Sequence, residues 1–186
     1  MNRLLLHHCC APCSPSIVAS FMPRFALISF WFNPNIQPSE EYDARRASLV
    51  QYVSSLGLTL LDGPSYPQDQ WLAQAGTAAD RCAFCYRLRL EEAARTAREQ
   101  GITHFSTTLL ASPYQKHDLV RAAGDAAGAL HGVTFVYEDA RGAFYRGKDI
   151  ARAQGSYIQK YCGCLFSRAE RAREHAAKKE QHTHAL

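Results

Sequence analysis

The chain of 186 residues is the size of one domain, and 47% hydrophobic with 20% charged residues is the composition of a folded protein, which excludes intrinsic disorder. Its 21 basic and 17 acidic residues leave a net charge of +4, which permits a nucleic-acid partner without requiring one. No apolar run reaches the length of a membrane span, and the stretch after Met1 is too short for a signal peptide, so no membrane partner and a cytoplasmic location are expected.

Residues 3–8 predict a short apolar strand that runs directly into Cys9. Ser14-Pro15-Ser16 starts a helix that ends near Met22, before Pro23. Residues 25–32 are apolar on both faces, as a central parallel strand should be, and residues 33–38 read as a loop. Ser39 is expected to cap a helix with Tyr42, Leu49, Val53 and Leu56 on one face, closed by Gly57. A strand over 58–61 and a loose, Pro-rich stretch to Thr77 follow. A basic helix begins at Cys82, a strand covers 104–109, and a helix over 118–130 turns Leu119, Ala123, Ala126 and Leu130 inward. The last elements are a fifth strand at 133–137 and a helix over about 164–179, with residues 180–186 expected to fray. Strands alternating with helices mean a single α/β domain over 1–186, built on a doubly wound parallel sheet of about five strands with helices on both faces. Ligands of such sheets bind beyond the carboxyl ends of the strands, where Cys9 and Cys10 fall.

Cysteine is the residue type that sets this chain apart. Seven cysteines without an export signal point to metal or redox chemistry, because a reducing cytosol does not maintain structural disulfides. Six form close pairs, Cys9-Cys10, Cys82-x-x-Cys85 and Cys162-x-Cys164, and Cys13 extends the first into C-C-x-x-C. The knuckles Cys10–Cys13 and Cys82–Cys85 have the spacing of a structural zinc site, which leaves Cys9, Cys162 and Cys164 unused. Four thiolates also suit a [4Fe–4S] cube. Adjacent cysteines reach two irons of one cube, or a cube and a neighbouring metal, more readily than they chelate one zinc. Cys162-Gly163-Cys164 is short enough to close a strained, easily reduced disulfide beside a helix start that favours thiolate; two further metal ligands, or two chance thiols near a helix start, are the alternatives.

His7 and His8 precede the cysteines, one expected in the core and the other towards the site, both in packing roles. Arg81, Arg87, Arg89, Arg95 and Arg98 against Glu91 and Glu92 make the second cysteine helix basic: a solvated face, or one that contacts phosphates. Tyr114, Lys116 and His117 fall on the ligand edge, and Tyr145, Arg146 and Tyr157 precede the last cysteine pair; such aromatics either stack on an exposed nucleobase or cover the sheet. The loop after the first strand is Cys-Cys-Ala-Pro-Cys instead of a Gly-rich phosphate cradle, which argues against a kinase, ligase or ATP-dependent thiolase.

The segment Leu6-His7-His8-Cys9-Cys10-Ala11-Pro12-Cys13-Ser14 resembles the opening of the QueH-type epoxyqueuosine reductases. So do Asn33-Pro34-Asn35-Ile36-Gln37-Pro38 with Glu41-Tyr42, Arg81-Cys82-Ala83-Phe84-Cys85-Tyr86 with Arg89-Leu90, Ser106-Thr107-Thr108-Leu109 with Ser112-Pro113, and Tyr161-Cys162-Gly163-Cys164-Leu165-Phe166-Ser167. The resemblance covers nearly the whole chain from Arg3 to Ser167; Ile158 stands where arginine is more usual. It implies a Rossmann-like fold of the HUP type and a cobalamin-independent two-electron deoxygenation of epoxyqueuosine to queuosine in the wobble position of tRNA, the last step of queuosine synthesis. It also implies a [4Fe–4S] cluster on Cys9, Cys10, Cys82 and Cys85, a further iron beside it, a redox-active pair in Cys162 and Cys164, and an electron donor of unspecified identity. Cys13 is left as a ligand of the additional iron, a substitute cluster ligand, or a small buried hydrophobe. Two readings outside this family stand beside it: a zinc-stabilised RNA-binding module, and a thiol–disulfide oxidoreductase acting on proteins through Cys162 and Cys164.

Overall fold

A computed structural model of the chain describes residues 1–183, with side-chain surroundings described through residue 179. Three fully buried leucines, Leu4, Leu5 and Leu6, place β1 (Arg3–His7) at the centre of the sheet. A 3-10 turn at Ala11–Cys13 leads into α1 (Ser14–Phe21), with a proline in the first turn of each, where a missing N–H goes unnoticed. Then follow β2 (Ala26–Trp31), α2 (Ser39–Ser55), β3 (Leu60–Asp62), α3 (Gln68–Thr77), α4 (Arg81–Glu99) and β4 (His104–Thr107). The chain continues through α5 (His117–His131), β5 (Thr134–Phe135), α6 (Phe144–Ala153) and α7 (Leu165–Thr183).

All pairings are parallel and the strand order is β3-β2-β1-β4-β5, the doubly wound α/β sheet expected from the alternation of elements. Right-handed crossovers run one way from β1 to β3 and the other way from β4 to β5, so α1 and α2 cover one face and α4 and α5 the opposite one. The order reverses between β1 and β4. The loops leaving those two strands, residues 8–13 and 108–112, therefore flank the crevice where such sheets hold ligands. A second, smaller core joins Trp71, Ala75 and Cys164. No helix among the described residues is long and apolar enough to cross a membrane.

Several elements differ from expectation, each for a local reason. The Pro-rich stretch contains α3, which starts just after Pro67 and buries Trp71 and Ala75 one turn apart. A further helix, α6, is not among the expected elements; in it Gly147 lets the helix approach α1, since a Cβ would stand 3.3 Å from Ser16 Oγ. The N-cap of α2 is Pro38, and Ser39 is the first helical residue, its hydroxyl on Glu40. In α5 the inward face is Val120, Gly124, Ala127 and Gly128, while Leu130 is 66% exposed. The two glycines bring that helix onto β5: a Cβ on Gly124 would fall 2.4 Å from the Phe135 ring. Strand β5 is only two residues long; just beyond it the Val136 amide still meets the Phe105 carbonyl at 2.8 Å while the Val136 carbonyl accepts from the Ser106 hydroxyl at 2.7 Å. Of the tail expected to fray, 180–183 continue the backbone of α7 and 184–186 lie outside the described residues.

Candidate active site

The end of β1 is fixed by two fully buried imidazoles, neither of which points to the cysteines as one was expected to. His7 Nε2 lies 3.1 Å from the Phe32 carbonyl, so that nitrogen carries the proton, and Nδ1 accepts from Thr107 Oγ1 at 2.8 Å. His8 takes the other tautomer. Ser14 Oγ donates to the Cys10 carbonyl at 2.9 Å and accepts from His8 Nδ1 at 2.8 Å, which leaves Nε2 to accept from Ser29 Oγ at 3.1 Å. Burial lowers both pKa values, to about 3 for His7 and about 4 for His8, so both rings are neutral. Their effect is to lock the backbone that carries Cys9 and Cys10.

The sulfurs of Cys9, Cys10 and Cys13 lie within 4.8 Å of one another, a group able to hold a metal. Cys9 Sγ and Cys10 Sγ are 3.7 Å apart. Hydrogen bonds from the Cys10 and Cys13 thiols hold Cys9 well below the usual thiol pKa, against burial and with help from Arg89 and Thr108. Donation to Cys10 and Cys9, together with burial, holds Cys13 well above it. Cys10 is raised as well: the bond from Cys13 works the other way, but donation to Cys9 and burial prevail. Within the group the ionised form is thus favoured at Cys9 and opposed at Cys10 and Cys13, and a metal bound by all three would release protons. Thr108 accepts from the Cys9 amide at 3.1 Å and donates to its sulfur at 3.4 Å.

The second pair sits on the first turn of α4. Asp80 caps that turn, accepting from the amides of Cys82 at 2.8 Å and Ala83 at 3.0 Å, while its other oxygen meets Lys116 Nζ at 3.0 Å. Burial raises both thiols, Cys85 to about 12 against the pull of Arg89. Arg89, one turn on from Cys85, is buried; it donates to Asn33 Oδ1 at 2.6 Å and reaches Cys85 Sγ at 3.8 Å. Asn33 in turn donates to the His8 carbonyl at 2.8 Å. One guanidinium thus lies among the thiols of Cys9, Cys85 and Cys162 and acts on all three.

Residues 157–167 form a strap across the site. Buried Arg45 pairs with Glu41 at 2.7 Å and donates to the carbonyls of Cys162 at 2.9 Å and Tyr161 at 3.0 Å. The Tyr157 hydroxyl donates to Glu41 at 2.6 Å, and the Gln37 amide to the Gly163 carbonyl at 2.9 Å. Gly163 has φ +148°, and a Cβ there would lie 3.0 Å from Asn35 Nδ2. The two strap cysteines are free thiols in different surroundings. Cys162 is exposed to the site with Gln115 Nε2 3.7 Å from its sulfur, and desolvation raises its pKa, opposite to the dipole effect expected. Cys164 is buried in the small core with Trp71. Its sulfur accepts the Ser167 amide at 3.4 Å, so it caps α7. Gln159 Nε2 bonds Cys10 Sγ at 2.9 Å and ties the strap to the first cluster.

Cys9, Cys10, Cys13, Arg89, Gln159 and Cys162 line one cavity of about 1310 Å³. Of the five arginines of the basic helix, Arg87 and Arg98 are exposed with no carboxylate within ion-pair distance among the described residues, Arg87 lying over the Phe84 ring, and the other three are engaged. Arg81 pairs with Glu170 at 2.9 Å, Arg95 pairs with Glu92 at 2.5 Å and with Glu99, and Arg89 is inside the site. Besides Arg45 and Arg89, the cavity is lined by the cations Lys148, Lys160, Arg168 and Arg171. Tyr114 stands exposed at its mouth, Lys116 is paired with Asp80, and His117 is buried with Nε2 3.2 Å from the Ser112 carbonyl. Arg45, Gln159 and Gln115 went unread as site residues. For Arg45 the signal was Glu41 one turn earlier, within a segment that carries the resemblance.

A family model described as epoxyqueuosine reductase QueH matches residues 4–170. An epoxyqueuosine reductase QueH of Thermotoga maritima is 34% identical over 186 residues, spanning 95% of this chain and 95% of that protein. Its counterpart in Dehalococcoides mccartyi is 33% identical over 171 residues, spanning 91% of this chain and 94% of that protein.

Proposed function

The chain belongs to the epoxyqueuosine reductase QueH family, and from that premise we propose that it deoxygenates epoxyqueuosine at the wobble position of cytoplasmic tRNA, using an iron–sulfur centre and no cobalamin. As a member it is an oxidoreductase of tRNA modification. The observation that supports the finer reading is the convergence of Cys9, Cys10, Cys13 and Cys162 on one cavity of about 1310 Å³, larger than the usual small-molecule site.

The donor set fits such a centre in part, since Cys82 and Cys85 stand outside the three-sulfur group and are not among the residues that line the cavity. Three sulfurs lie within 4.8 Å of one another on a backbone held by buried hydrogen bonds, and Arg89 offsets thiolate charge. In this proposal Cys9, Cys10, Cys82 and Cys85 hold a [4Fe–4S] cluster and Cys13 holds an additional iron. When bound, these groups would supply single electrons and a Lewis acid for the epoxide oxygen. Cys162 and Cys164 are the proposed two-electron store. Two C–O bonds break, the C=C bond forms and the oxygen leaves as water; the two electrons and two protons required equal those released when a dithiol closes to a disulfide. Closure requires the Cys164 sulfur to leave the Ser167 amide and Cys162 to turn from Gln115. A cellular thiol or other donor then reopens the bond.

Anaerobic purification tests this directly. The expected product is brown protein with about four irons or more per chain and matching sulfide. With reductant it should remove one oxygen from epoxyqueuosine-containing RNA in cobalamin-free buffer. Colourless protein with stoichiometric zinc would overturn the iron assignment. Cys162→Ser and Cys164→Ser variants should keep iron and bind RNA yet fail to turn over repeatedly; loss of iron in either makes the pair ligands instead.

A further inference from the structure

We propose that Tyr114 and Tyr145 form a stacking platform for an unpaired base of the substrate RNA, with Lys148 placed against its phosphate. The proposal rests on the reading of this chain as a tRNA-modifying enzyme and adds where the loop next to the modified nucleotide is held. Tyr114 is 76% and Tyr145 65% exposed, and with Tyr157 they are the exposed large aromatics among the described residues. Tyr114, Tyr157 and Phe144, the neighbour of Tyr145, line the cysteine cavity. Aromatic rings left in water at one place only, beside the reactive cavity, suit a partner that brings its own flat apolar faces.

The platform is preorganised. Phe144 is buried and stands between the two tyrosines, edge-on to Tyr114 at 5.9 Å and to Tyr145 at 5.2 Å between ring centroids. The Tyr114 loop is pinned where its amide meets Ser112 Oγ at 3.3 Å and where Gln115 takes the Tyr86 hydroxyl at 2.8 Å. Helix α6, which carries Phe144 and Tyr145, is seated on α1 through Gly147. Little ordering is left for the bound state, and base stacking on such rings tolerates any base.

The charges around the cavity match an RNA backbone. Its acidic residues Glu41, Glu170 and Glu174 are taken by Arg45, Arg81 and Arg171, while Glu40 accepts from Ser39. Lys148, Lys160 and Arg168 have no carboxylate within ion-pair distance among the described residues. Lys148 lies one helical turn beyond Phe144, on the wall that carries the rings. Single-stranded RNA is recognised by this combination of aromatic stacking and phosphate contacts.

The test is binding of two labelled RNAs of equal charge to the anaerobically isolated full chain, followed by anisotropy across a salt series. One is an anticodon stem-loop with guanosine at the wobble position; the other is a fully paired duplex. Tyr114→Ala/Tyr145→Ala should weaken stem-loop binding by about 5- to 150-fold per stacked base and leave the salt slope unchanged. Tyr114→Phe/Tyr145→Phe, which keeps the rings, should bind as the parent does. Lys148→Ala should reduce the salt slope by about one. Unchanged affinity in the double alanine variant, or a loss that comes with a reduced salt slope, overturns the platform and leaves the enzymatic reading intact. A parent protein that does not prefer the stem-loop over the duplex counts against that reading as well.

Discussion

The two ends of the candidate site are built on opposite principles. Cys9, Cys10 and Cys13 follow the central strand, and their backbone is held by fully buried groups in an unbroken chain: Ser29 to His8, His8 to Ser14, Ser14 to the Cys10 carbonyl. Cys162 rides on a strap far along the sequence, fastened to α2 mainly through one buried side chain, Arg45, which holds two consecutive carbonyls. The first end is part of the core and cannot move without unpairing buried polar atoms. The second can lift by releasing a few bonds. The contrast separates a rigid frame around Cys9, Cys10 and Cys13 from a strap thiol that, in the proposed reaction, changes partners.

The contrast can be broken from either end. Arg45→Met should have the largest effect, about 3–5 kcal/mol lost in denaturant unfolding, because Glu41 loses its buried partner. Alkylation of Cys162 should accelerate in that variant while Cys9 stays as protected as before. His8→Phe attacks the other end. The Ser29 hydroxyl loses its partner at about 1–3 kcal/mol, Ser14 keeps only its bond to the Cys10 carbonyl, and mass-resolved labelling should now find Cys9 and Cys10 faster and Cys162 unchanged. Gly163→Ala should cost about 1–3 kcal/mol, since φ +148° is open essentially to glycine alone and the Cβ crowds Asn35. Its damage should again be confined to the strap. Tyr157→Phe should have the smallest effect, about 1 kcal/mol or less. Hydrogen bonding to Glu41 raises the Tyr157 phenol to about 12 from 10, so the folded state keeps its proton longer than the unfolded chain does. That contribution is complete below pH 10 and is lost as pH rises towards 12. The ring is partly exposed, so the loss is modest, and a pH series on Tyr157→Phe should lack it.

Local pattern carried most of the fold. The apolar runs of β1 and β2, and the Pro38 and Gly57 boundaries of α2, are properties of adjacent residues and were legible as such. Where small residues do the packing, pattern misleads: Gly124 and Gly128 form the buried face of α5, and the neighbouring leucine at 130 was read in their place. The cysteine positions were legible because their spacing is unusual. What holds them was not. Arg45 meets Cys162 across 117 residues and Arg89 meets Asn33 across 56, and no local rule pairs residues at that distance. Arg89 looked like one of five cations on a helix surface, and only the tertiary fold turns it inward.

The double engagement of the two imidazoles has a consequence for proton supply. Every ring nitrogen of His7 and His8 is already committed inside the fold, with the tautomer set by its partners. Neither ring can pass a proton to a substrate without breaking a bond that shapes β1. In the proposed deoxygenation the hydrogens of the departing water would thus come from other groups at the cavity, such as the Cys162 thiol, or from solvent. A solvent deuterium effect on turnover should then respond to changes at Cys162 and be indifferent to the histidines next to Cys9.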